Sequence, residues 1–147
     1  LAAGEVVAFL DDDAVPEPTW LTFLAAPFAD PQVAAAGGLV LGRNGISVQW
    51  PPSAIDADGR AVPLALAGDG PHLLAGQPGR AIKTEGTNMA FRRAVLAGVG
   101  GFDPGFRFYM DETDLNLRLA ARGAVTALVP LAQVHHGYAA SDRRRAR

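Results

Sequence analysis

An apolar run that ends in three consecutive carboxylates is the strongest constraint in this sequence. Residues 6–10 are VVAFL, and Asp11, Asp12 and Asp13 follow directly. An apolar run of this length predicts a strand buried on both faces, as in a parallel sheet. Adjacent negative charges repel one another, so the aspartates need a compensating partner at the end of that strand.

A divalent cation is one partner that fits these aspartates. Carboxylates at positions i and i+2, here Asp11 and Asp13, can reach one hard cation from an irregular turn. Mg²⁺ and Mn²⁺ prefer such oxygen ligands, completed by water and substrate phosphate. The carboxyl end of a strand is also where open α/β sheets bind ligands. Ordinary turn chemistry, with aspartate at a strand end and Pro16 soon after, is the structural alternative.

The composition indicates one globular domain and narrows its environment. The chain has 147 residues, of which 49% are hydrophobic and 19% are charged. It contains no cysteine, which excludes disulfides and thiolate metal sites and suits a reducing compartment, so we expect a cytoplasmic protein. The net charge of −2 argues against general nucleic-acid binding. No apolar run approaches the ~20 residues that span a bilayer.

A basic tail at residues 142–147 follows the otherwise acidic chain. Four of its six residues are arginine: Arg143, Arg144, Arg145 and Arg147. A solvated, disordered end is one interpretation of such a tail. Contact with the phosphates of a substrate or of a lipid surface, and hence peripheral membrane association, is the other.

Periodicity along the chain predicts alternating strands and helices. After the strand at 5–10, Pro16, Pro18 and Thr19 open a helix, and residues 33–41 form a second strand. Helices are expected over 91–98 and from Asp111 to Gly123, with a last strand at 124–129. The first helix should present one core-packing face, made of Trp20, Leu21, Leu24 and Phe28.

The segment 42–80 is rich in glycine and proline, with 7 of the 17 glycines and 5 of the 11 prolines of the chain. It predicts a long irregular insertion with a hairpin turn at Asp58-Gly59. Long excursions of this kind in compact domains are often binding loops or lids.

Asp111 and Glu112 form a second acidic pair, at the start of the predicted third helix. The helix dipole favours an anion there, and Asp111 with Asp114 resembles a capping box. A capping aspartate beside a solvated glutamate is therefore the structural alternative. The preceding residues 106–110 are FRFYM, and such an apolar surface would desolvate a carboxylate and raise its pKa toward that of a useful general base.

His135 and His136 follow the last predicted strand. Neutral imidazole is a common ligand for Mn²⁺ and for softer metals. Two adjacent histidines in a loop are otherwise surface residues, so these residues by themselves leave both interpretations open.

Four stretches of the chain together resemble a known family. They are VVAFLDDDAVPEPTWL, GTNMAFRR, GGFDPGFRFYMDETDLNLRLAARG and VHHGY, in this order. In these motifs, their order and their approximate spacing the chain is similar to the family 2 inverting glycosyltransferases of the GT-A fold, over most of its length except 42–80. The resemblance implies an α/β fold with a Rossmann-like mixed sheet flanked by helices.

The resemblance implies a role for each aspartate and histidine. Asp11–Asp13 would be the family's DXD motif, in which Asp13 holds the Mn²⁺ or Mg²⁺ ion that bridges the two phosphates of a nucleotide-diphosphate sugar. Asp11 would contact the donor ribose or assist the metal, and Asp12 belongs to the same donor-binding set. His135 or His136 matches a metal-ligand histidine of some members.

The resemblance also implies the catalytic groups. DETDL would be the family's acidic catalytic motif, with Glu112 where the base sits and Asp111 as the alternative, because the usual Glu-Asp order is exchanged here. Asn88 is a candidate polar contact beneath donor sugar and acceptor. The implied reaction is a direct displacement in which the base deprotonates a hydroxyl of a glycan or lipid-linked acceptor and the anomeric configuration inverts.

One part of the family pattern lies outside this sequence. Members usually begin with a βαβ region that binds the nucleotide base, whereas this chain begins one strand before the DXD motif. We therefore expect it to be the C-terminal part of such a domain, inactive alone, and to self-associate through an uncovered strand edge.

Two other classes of protein are alternatives to a glycosyltransferase. Haloacid-dehalogenase-like phosphatases also place aspartates after an apolar strand, but they require a late lysine before an acidic pair, and Lys83 is the single lysine of this chain. A non-catalytic binding module, which retains the fold without turnover, is the second alternative.

Overall fold

The computed structural model describes residues 2–106 and 109–137, so the basic tail at 142–147 lies outside the described residues. No helix in the described ranges is long and apolar enough to cross a membrane. The strands are β1 Val6–Leu10, β2 Ala14–Pro16, β3 Val33–Leu41, β4 Ser53–Asp56, β5 Ala61–Pro63, β6 His72–Ala75, β7 Arg80–Ile82, β8 Asn88–Arg92 and β9 Val125–His136. The helices are α1 Trp20–Ala25, α2 Arg93–Gly98 and α3 Asp111–Ala120.

A mixed six-stranded sheet forms the centre of the molecule. Its strand order is β1-β8-β3-β9-β2, and β6 also pairs with β9. The pair β3–β9 is parallel, and every other pair in this sheet is antiparallel. The predicted α/β fold with a mixed sheet and flanking helices is therefore confirmed.

The first strand differs from its prediction in one respect. β1 pairs with β8 in antiparallel register, from Val6 opposite Arg92 to Leu10 opposite Asn88. Its residues are exposed or half-buried, so the prediction of a strand buried on both faces in a parallel sheet is wrong. Within the described part of the chain β1 is the edge of the sheet, because β8 is its one strand neighbour.

Apolar clusters cover both faces of the sheet. On one face Leu24 of α1 and Phe28 of the following 3₁₀ turn (Ala26–Ala29) pack against Val33. On the other face Leu115 and Leu119 of α3 pack in one cluster with β-strand side chains. The predicted core face of the first helix is correct for Leu24, Phe28 and partly buried Trp20, but Leu21 is 58% exposed.

Two predicted element boundaries are wrong, because strands extend further along the chain than predicted. Residues 91 and 92 belong to β8, so the helix predicted at 91–98 begins at Arg93 and ends at Gly98. The last strand extends past the predicted residue 129 to His136. Its later half continues beyond a register shift opposite Gly38 and Leu39, so the two histidines lie in the sheet and not in a loop.

The segment 42–80 is more regular than predicted. β4, β5 and β7 form a second, three-stranded antiparallel sheet, and β6 joins the central sheet. The hairpin turn at Asp58-Gly59 is confirmed: Gly59 has a φ of 76° and donates its N–H to the carbonyl of Asp56. A positive φ of this size favours glycine, which explains the residue at this place.

The helix α3 begins differently from the predicted capping box. Its N-cap is Met110, in the left-handed conformation with a φ of 71°, and no side chain caps the helix. Asp111 is the first helical residue, and Asp114 forms an ion pair of 2.7 Å with Arg118 one turn later. The chain leaves the helix through Gly123, which has a φ of 68°.

Candidate active site

Two aspartates and one histidine converge at the end of the central sheet. Asp11 and Asp13 lie in the short turn between β1 and β2, and His136 is the last residue of β9. β2 pairs with β9 so that Ala14 lies opposite His136, which brings the turn and the ring together. One ligand atom from each of the three side chains lies within 4.8 Å of the others. We call this set the DDH cluster.

The ring of His136 is held in one orientation inside the cluster. Its side chain is 4% exposed, its Nδ1 lies 3.1 Å from Gln49 Oε1, and its Nε2 lies 3.0 Å from Asp13 Oδ1 and 3.8 Å from Asp11 Oδ2. Gln49 therefore contacts one ring nitrogen, and the other ring nitrogen faces the two carboxylates. A cation bound there would offset the negative charge of the carboxylates.

A divalent cation fits this arrangement. Two carboxylates and a neutral imidazole are a suitable ligand set for Mn²⁺ or Mg²⁺. A ligating histidine usually donates its other N–H to a neighbouring group, and Gln49 lies within hydrogen-bond distance of His136 for such a role. The second ligand, Asp11, accepts a hydrogen bond of 2.8 Å from the Thr87 hydroxyl. These neighbours fix the direction of two of the three ligand side chains.

The structure distinguishes the cluster members from the adjacent aspartate and the adjacent histidine, which the sequence alone does not do. Asp12 is exposed and is not a member of the cluster. His135 points elsewhere, and its Nε2 contacts the Glu17 carboxylate. Alternation along a strand explains this, because successive side chains point to opposite faces. Of the two histidines, the structure therefore brings His136 to the aspartates.

Asn88 lies in the core and not on the surface of the site. It is 0% exposed, donates to the carbonyls of Leu39 and Ala132, and accepts a hydrogen bond of 2.8 Å from the Trp20 indole. Leu39 adjoins the register shift between β3 and β9, so Asn88 satisfies backbone carbonyls where the ladder is interrupted. Its predicted contact with donor or acceptor is wrong in this structure, because the side chain is enclosed.

Glu112 is the candidate base, in the first turn of α3. Burial raises its pKa to about 7, and a hydrogen bond with Asp111 and the charges of Asp111 and Glu85 act in the same direction. A carboxylate with a pKa near neutrality is matched to general-base catalysis, because it accepts a proton readily and is substantially ionised at pH 7. This agrees with the desolvation expected from the sequence. Asp111 is the neighbour that helps to raise the pKa.

The segment Lys83–Asn88 connects the DDH cluster with α3. At one end Thr87 donates to Asp11, and at the other the Thr84 hydroxyl donates to Asn116 of α3 over 3.1 Å. Between them Glu85 acts electrostatically on Glu112 and forms a 2.8 Å ion pair with Lys83. One short segment thus contacts the DDH cluster and acts electrostatically on Glu112.

A shallow cleft lies along this segment. Its wall includes Lys83, Glu85 and Trp50, together with Pro51 and Leu66. Trp50 also contacts the ring of His136, with 5.6 Å between ring centroids. The cleft therefore borders neighbours of both the DDH cluster and Glu112.

Several residues of the site were not predicted from the sequence. Gln49 and Trp50 lie in the 42–80 segment, where no spacing pattern marks them. Thr87 lies within GTNMAFRR, but only the adjacent Asn88 was selected, and Glu85 precedes that stretch. Strand register gives the one usable signal: once β1 is paired with β8, Leu10 lies opposite Asn88, and their neighbours Asp11 and Thr87 must be close.

The fold and this arrangement define a class of protein, a GT-A-like α/β domain with an acidic and histidine site at the sheet end. The glycosyltransferase-like family 2 model matches residues 1–147. The chain belongs to that family. This membership removes the haloacid-dehalogenase-like alternative.

Similar proteins come from bacteria and share part of their length with this chain. A pre-mycofactocin glycosyltransferase of Mycobacterium tuberculosis is 32% identical over 140 residues, which are 91% of this chain and 27% of that protein. An N-acetylglucosaminyl-diphospho-decaprenol L-rhamnosyltransferase of the same species is 39% identical over 59 residues, 40% of this chain and 19% of that protein. The O-antigen biosynthesis protein RfbC of Myxococcus xanthus is 29% identical over 97% of this chain and 12% of its own length. The chain therefore spans about a quarter or less of these relatives.

A solved structure with the same fold was determined with ligands. The structure of GalNAc-T7 with UDP, GalNAc and Mn²⁺ superposes with a TM-score of 0.70 at 20% identity, covering 92% of this chain and 28% of that one. At this identity the likeness shows the fold, which agrees with the GT-A expectation.

Proposed function

We propose that this chain supplies the metal-binding and catalytic half of an enzyme that transfers a sugar from a nucleotide-diphosphate donor to an acceptor hydroxyl, with inversion. The observation that carries the proposal is the DDH cluster. Its histidine contacts Gln49 through Nδ1, and Nε2 faces two carboxylates. Such an arrangement is stable when a cation lies among the three groups.

In this proposal Asp11, Asp13 and His136 hold Mn²⁺ or Mg²⁺ against the donor diphosphate. Bound there, the cation supplies Lewis-acid stabilisation of the departing diphosphate. The exposed side of the cluster leaves room for phosphate, since the Asp11 side chain is 47% exposed. Asp12, exposed beside them, stays a candidate for contact with the donor and not with the metal.

Glu112 deprotonates the acceptor in the same proposal. A glutamate with a pKa of about 7 is ionised in a large fraction of molecules at neutral pH, yet it binds a proton more strongly than an exposed glutamate does. The acceptor oxygen then attacks the anomeric carbon from the face opposite the diphosphate. Direct displacement leaves no covalent sugar on the protein and inverts the anomeric centre. Asp111 assists by keeping that pKa high.

The cleft along Lys83–Asn88 is the proposed place of the reacting sugar. It lies beside Trp50, which contacts the cluster, and beside Glu85, which acts on Glu112. Tryptophan offers a flat apolar face to a sugar ring, and the Lys83–Glu85 pair offers polar partners to hydroxyl groups. A sugar held here would have its diphosphate on one side and the acceptor on the other.

The acceptor is proposed to be a glycan or a lipid-linked molecule. The support is the printed names of the relatives, one of which acts on a decaprenol-linked sugar diphosphate and one of which takes part in O-antigen biosynthesis. A cytoplasmic position with peripheral membrane contact through the tail at 142–147 belongs to the same proposal.

Direct assay tests the proposal on the full-length protein that contains this chain. UDP- and dTDP-sugars are supplied with Mn²⁺ and candidate acceptors, nucleoside diphosphate release is measured, and the anomeric configuration of the product is read by proton NMR. We expect release that EDTA abolishes and a product of inverted configuration. Donor binding with no turnover on any acceptor would favour the non-catalytic binding module, and a product of retained configuration would contradict direct displacement.

A further inference from the structure

The start of α3 contains a backbone conformation that requires an explanation. Met110 is the one non-glycine residue with positive φ in the described ranges, and it directly precedes Asp111 and Glu112. Left-handed conformations are costly for residues with a side chain, and they persist where the surroundings impose them. No side chain caps this helix start, so capping does not account for the conformation.

The turn of the β4–β5 hairpin lies against this bend. A methyl group built on Gly59 would lie 2.6 Å from Met110 Cε and 3.8 Å from Thr113 Cγ2. The end of the Met110 side chain therefore rests on the bare backbone of Gly59, in space that a side chain there would occupy. Thr113, which is 5% exposed, lies one turn further along the same side of α3.

The rest of the small sheet continues this contact along the helix. Ile55 of β4 and Ala81 of β7 pack in one buried cluster with Ala120, and Leu117 packs against it. Positions 110, 113, 117 and 120 follow helical spacing on one side of α3. The small sheet thus lies along the whole helix, and the Gly59 turn is the part that touches the end carrying Glu112.

We propose that Met110 is a positioning residue whose side chain, resting on the Gly59 turn, holds the left-handed bend and thereby fixes Glu112 in its desolvated place. The inference rests on the proposed role of Glu112 as the base. It gives the 42–80 segment a supporting function, in place of the lid expected from its composition.

The remaining surroundings of Glu112 make this dependence specific. Asn116, one turn after Glu112, is tied to Thr84 by two hydrogen bonds of 3.1 and 3.3 Å. These bonds fix the rotation of α3 about its axis but lie a full turn from its first residues. Met110 and Gly59 fix the first turn, and the charged groups acting there are Asp111 and Glu85, the latter paired with Lys83.

The test is an NMR titration of Glu112 in the full-length protein that contains this chain, labelled with ¹³C-glutamate and assigned by comparison with Glu112→Gln. We expect a wild-type midpoint near 7. In Met110→Ala the first turn loosens and water reaches the carboxylate, so the midpoint should fall by about one pH unit or more. Met110→Leu keeps a long apolar side chain on the turn and should retain the wild-type midpoint.

Two further variants separate the side-chain contact from backbone strain. Met110→Gly relieves the strain but removes the contact, so its midpoint should fall as in Met110→Ala. Gly59→Ala keeps Met110 and displaces the tip of its side chain, so it should give the same fall. Because a φ of 76° also strains alanine, circular dichroism must show that this variant is folded before its midpoint is compared. Folded variants with an unchanged midpoint, or a wild-type midpoint near 4.5, would overturn the proposal.

Turnover of the full-length protein distinguishes this inference from the proposed function. If Met110→Ala lowers both the titration midpoint of Glu112 and kcat, with KM for the donor unchanged, the positioning role of Met110 and the role of Glu112 as the base are both supported. If the midpoint falls while kcat is unaffected, the positioning of Glu112 stands and its assignment as the base is wrong.

Discussion

Strand pairing and hydrogen bonds position the side chains of the DDH cluster, whereas the raised pKa of Glu112 depends on its burial at the start of a helix. In the cluster the Asp11 carboxylate is 47% exposed and the histidine is oriented by Gln49. At Glu112 the largest influence on the pKa is burial, and the neighbouring charges are negative. A ligand set needs ionised carboxylates, so its acids stay near water; a base needs a raised pKa, so its acid is withdrawn from water.

This contrast predicts different responses to substitution in the two regions. Removing a ligand should abolish chemistry that depends on the cation. Removing the base should lower the rate but leave donor binding, because the base acts on the acceptor. Changing the neighbours of the DDH cluster should alter metal affinity. Changing the neighbours of Glu112 should alter the pH dependence of turnover.

The largest expected effect is that of Asp13→Asn in the full-length protein. Asparagine keeps the shape of the side chain but removes the charge that faces the cation, so metal-dependent turnover should fall by several orders of magnitude. Isothermal titration with Mn²⁺ and activity at saturating metal measure this. Asp12→Asn is the matched control for the Mn²⁺ titration, since Asp12 lies outside the cluster and is proposed to contact the donor and not the metal. Equal losses of Mn²⁺ affinity in both variants would mean that the cluster is not the metal site.

Glu112→Gln should have the next largest effect. General-base catalysis typically contributes about 10²- to 10⁴-fold, so kcat should fall by that factor while donor binding, measured by titration, stays nearly unchanged. Asp111→Asn should be milder and should shift the acid limb of the pH profile to lower pH, because Asp111 helps to raise the pKa of Glu112. A larger loss in Asp111→Asn would exchange the two roles.

Gln49→Met should weaken metal binding without touching a ligand. The substitution keeps the length of the side chain and removes the amide that contacts His136 Nδ1. Changes of this kind in the partners of metal ligands cost about 10- to 100-fold in affinity. Mn²⁺ titration, with circular dichroism to check folding, gives the answer. Wild-type affinity in a folded variant would show that Gln49 does not orient the ligand.

The pH dependence of stability separates the two regions without any substrate. Glu112 binds its proton more tightly in the folded chain than in the unfolded chain, where its pKa is the ordinary 4.5. Its stabilising contribution is therefore complete below about pH 4.5 and is lost as the pH rises through about 7. Thermal unfolding of this chain should show that decline. Glu112→Gln should flatten the curve in this window, and an unchanged curve would mean that Glu112 titrates normally.

The sequence indicates the candidate groups of the site better than their surroundings. It marks Asp11, Asp13, His136 and Glu112, because runs of carboxylates and paired histidines stand out in a sequence. Their neighbours Gln49 and Trp50 come from a glycine- and proline-rich segment, and only the three-dimensional pairing brings them to His136.

Local patterns also explain the errors. Asn88 was selected as a polar residue among apolar ones, but a buried amide can equally satisfy interrupted backbone carbonyls, as it does for Leu39 and Ala132. The apolar residues 124–129 marked the start of β9, whereas Pro130 and Gln133 disguised its continuation to His136. These interactions join residues that lie far apart in the chain, so a single sequence gives little sign of them.

The smallest expected effect is that of His135→Gln, and it tests how sharply the sheet separates two adjacent histidines. His135 lies on the face of β9 opposite to His136, and its ring contacts Glu17, with side chains 31% and 41% exposed. A side-chain contact this exposed contributes about 1 kcal/mol or less, so stability should change little. Mn²⁺ affinity should change by less than about twofold, against the loss of more than tenfold expected from the matched His136→Gln. Titration of both variants under the same conditions decides it. If His135→Gln weakens binding as much as His136→Gln, both rings reach the cation, and the strand register no longer identifies the ligand.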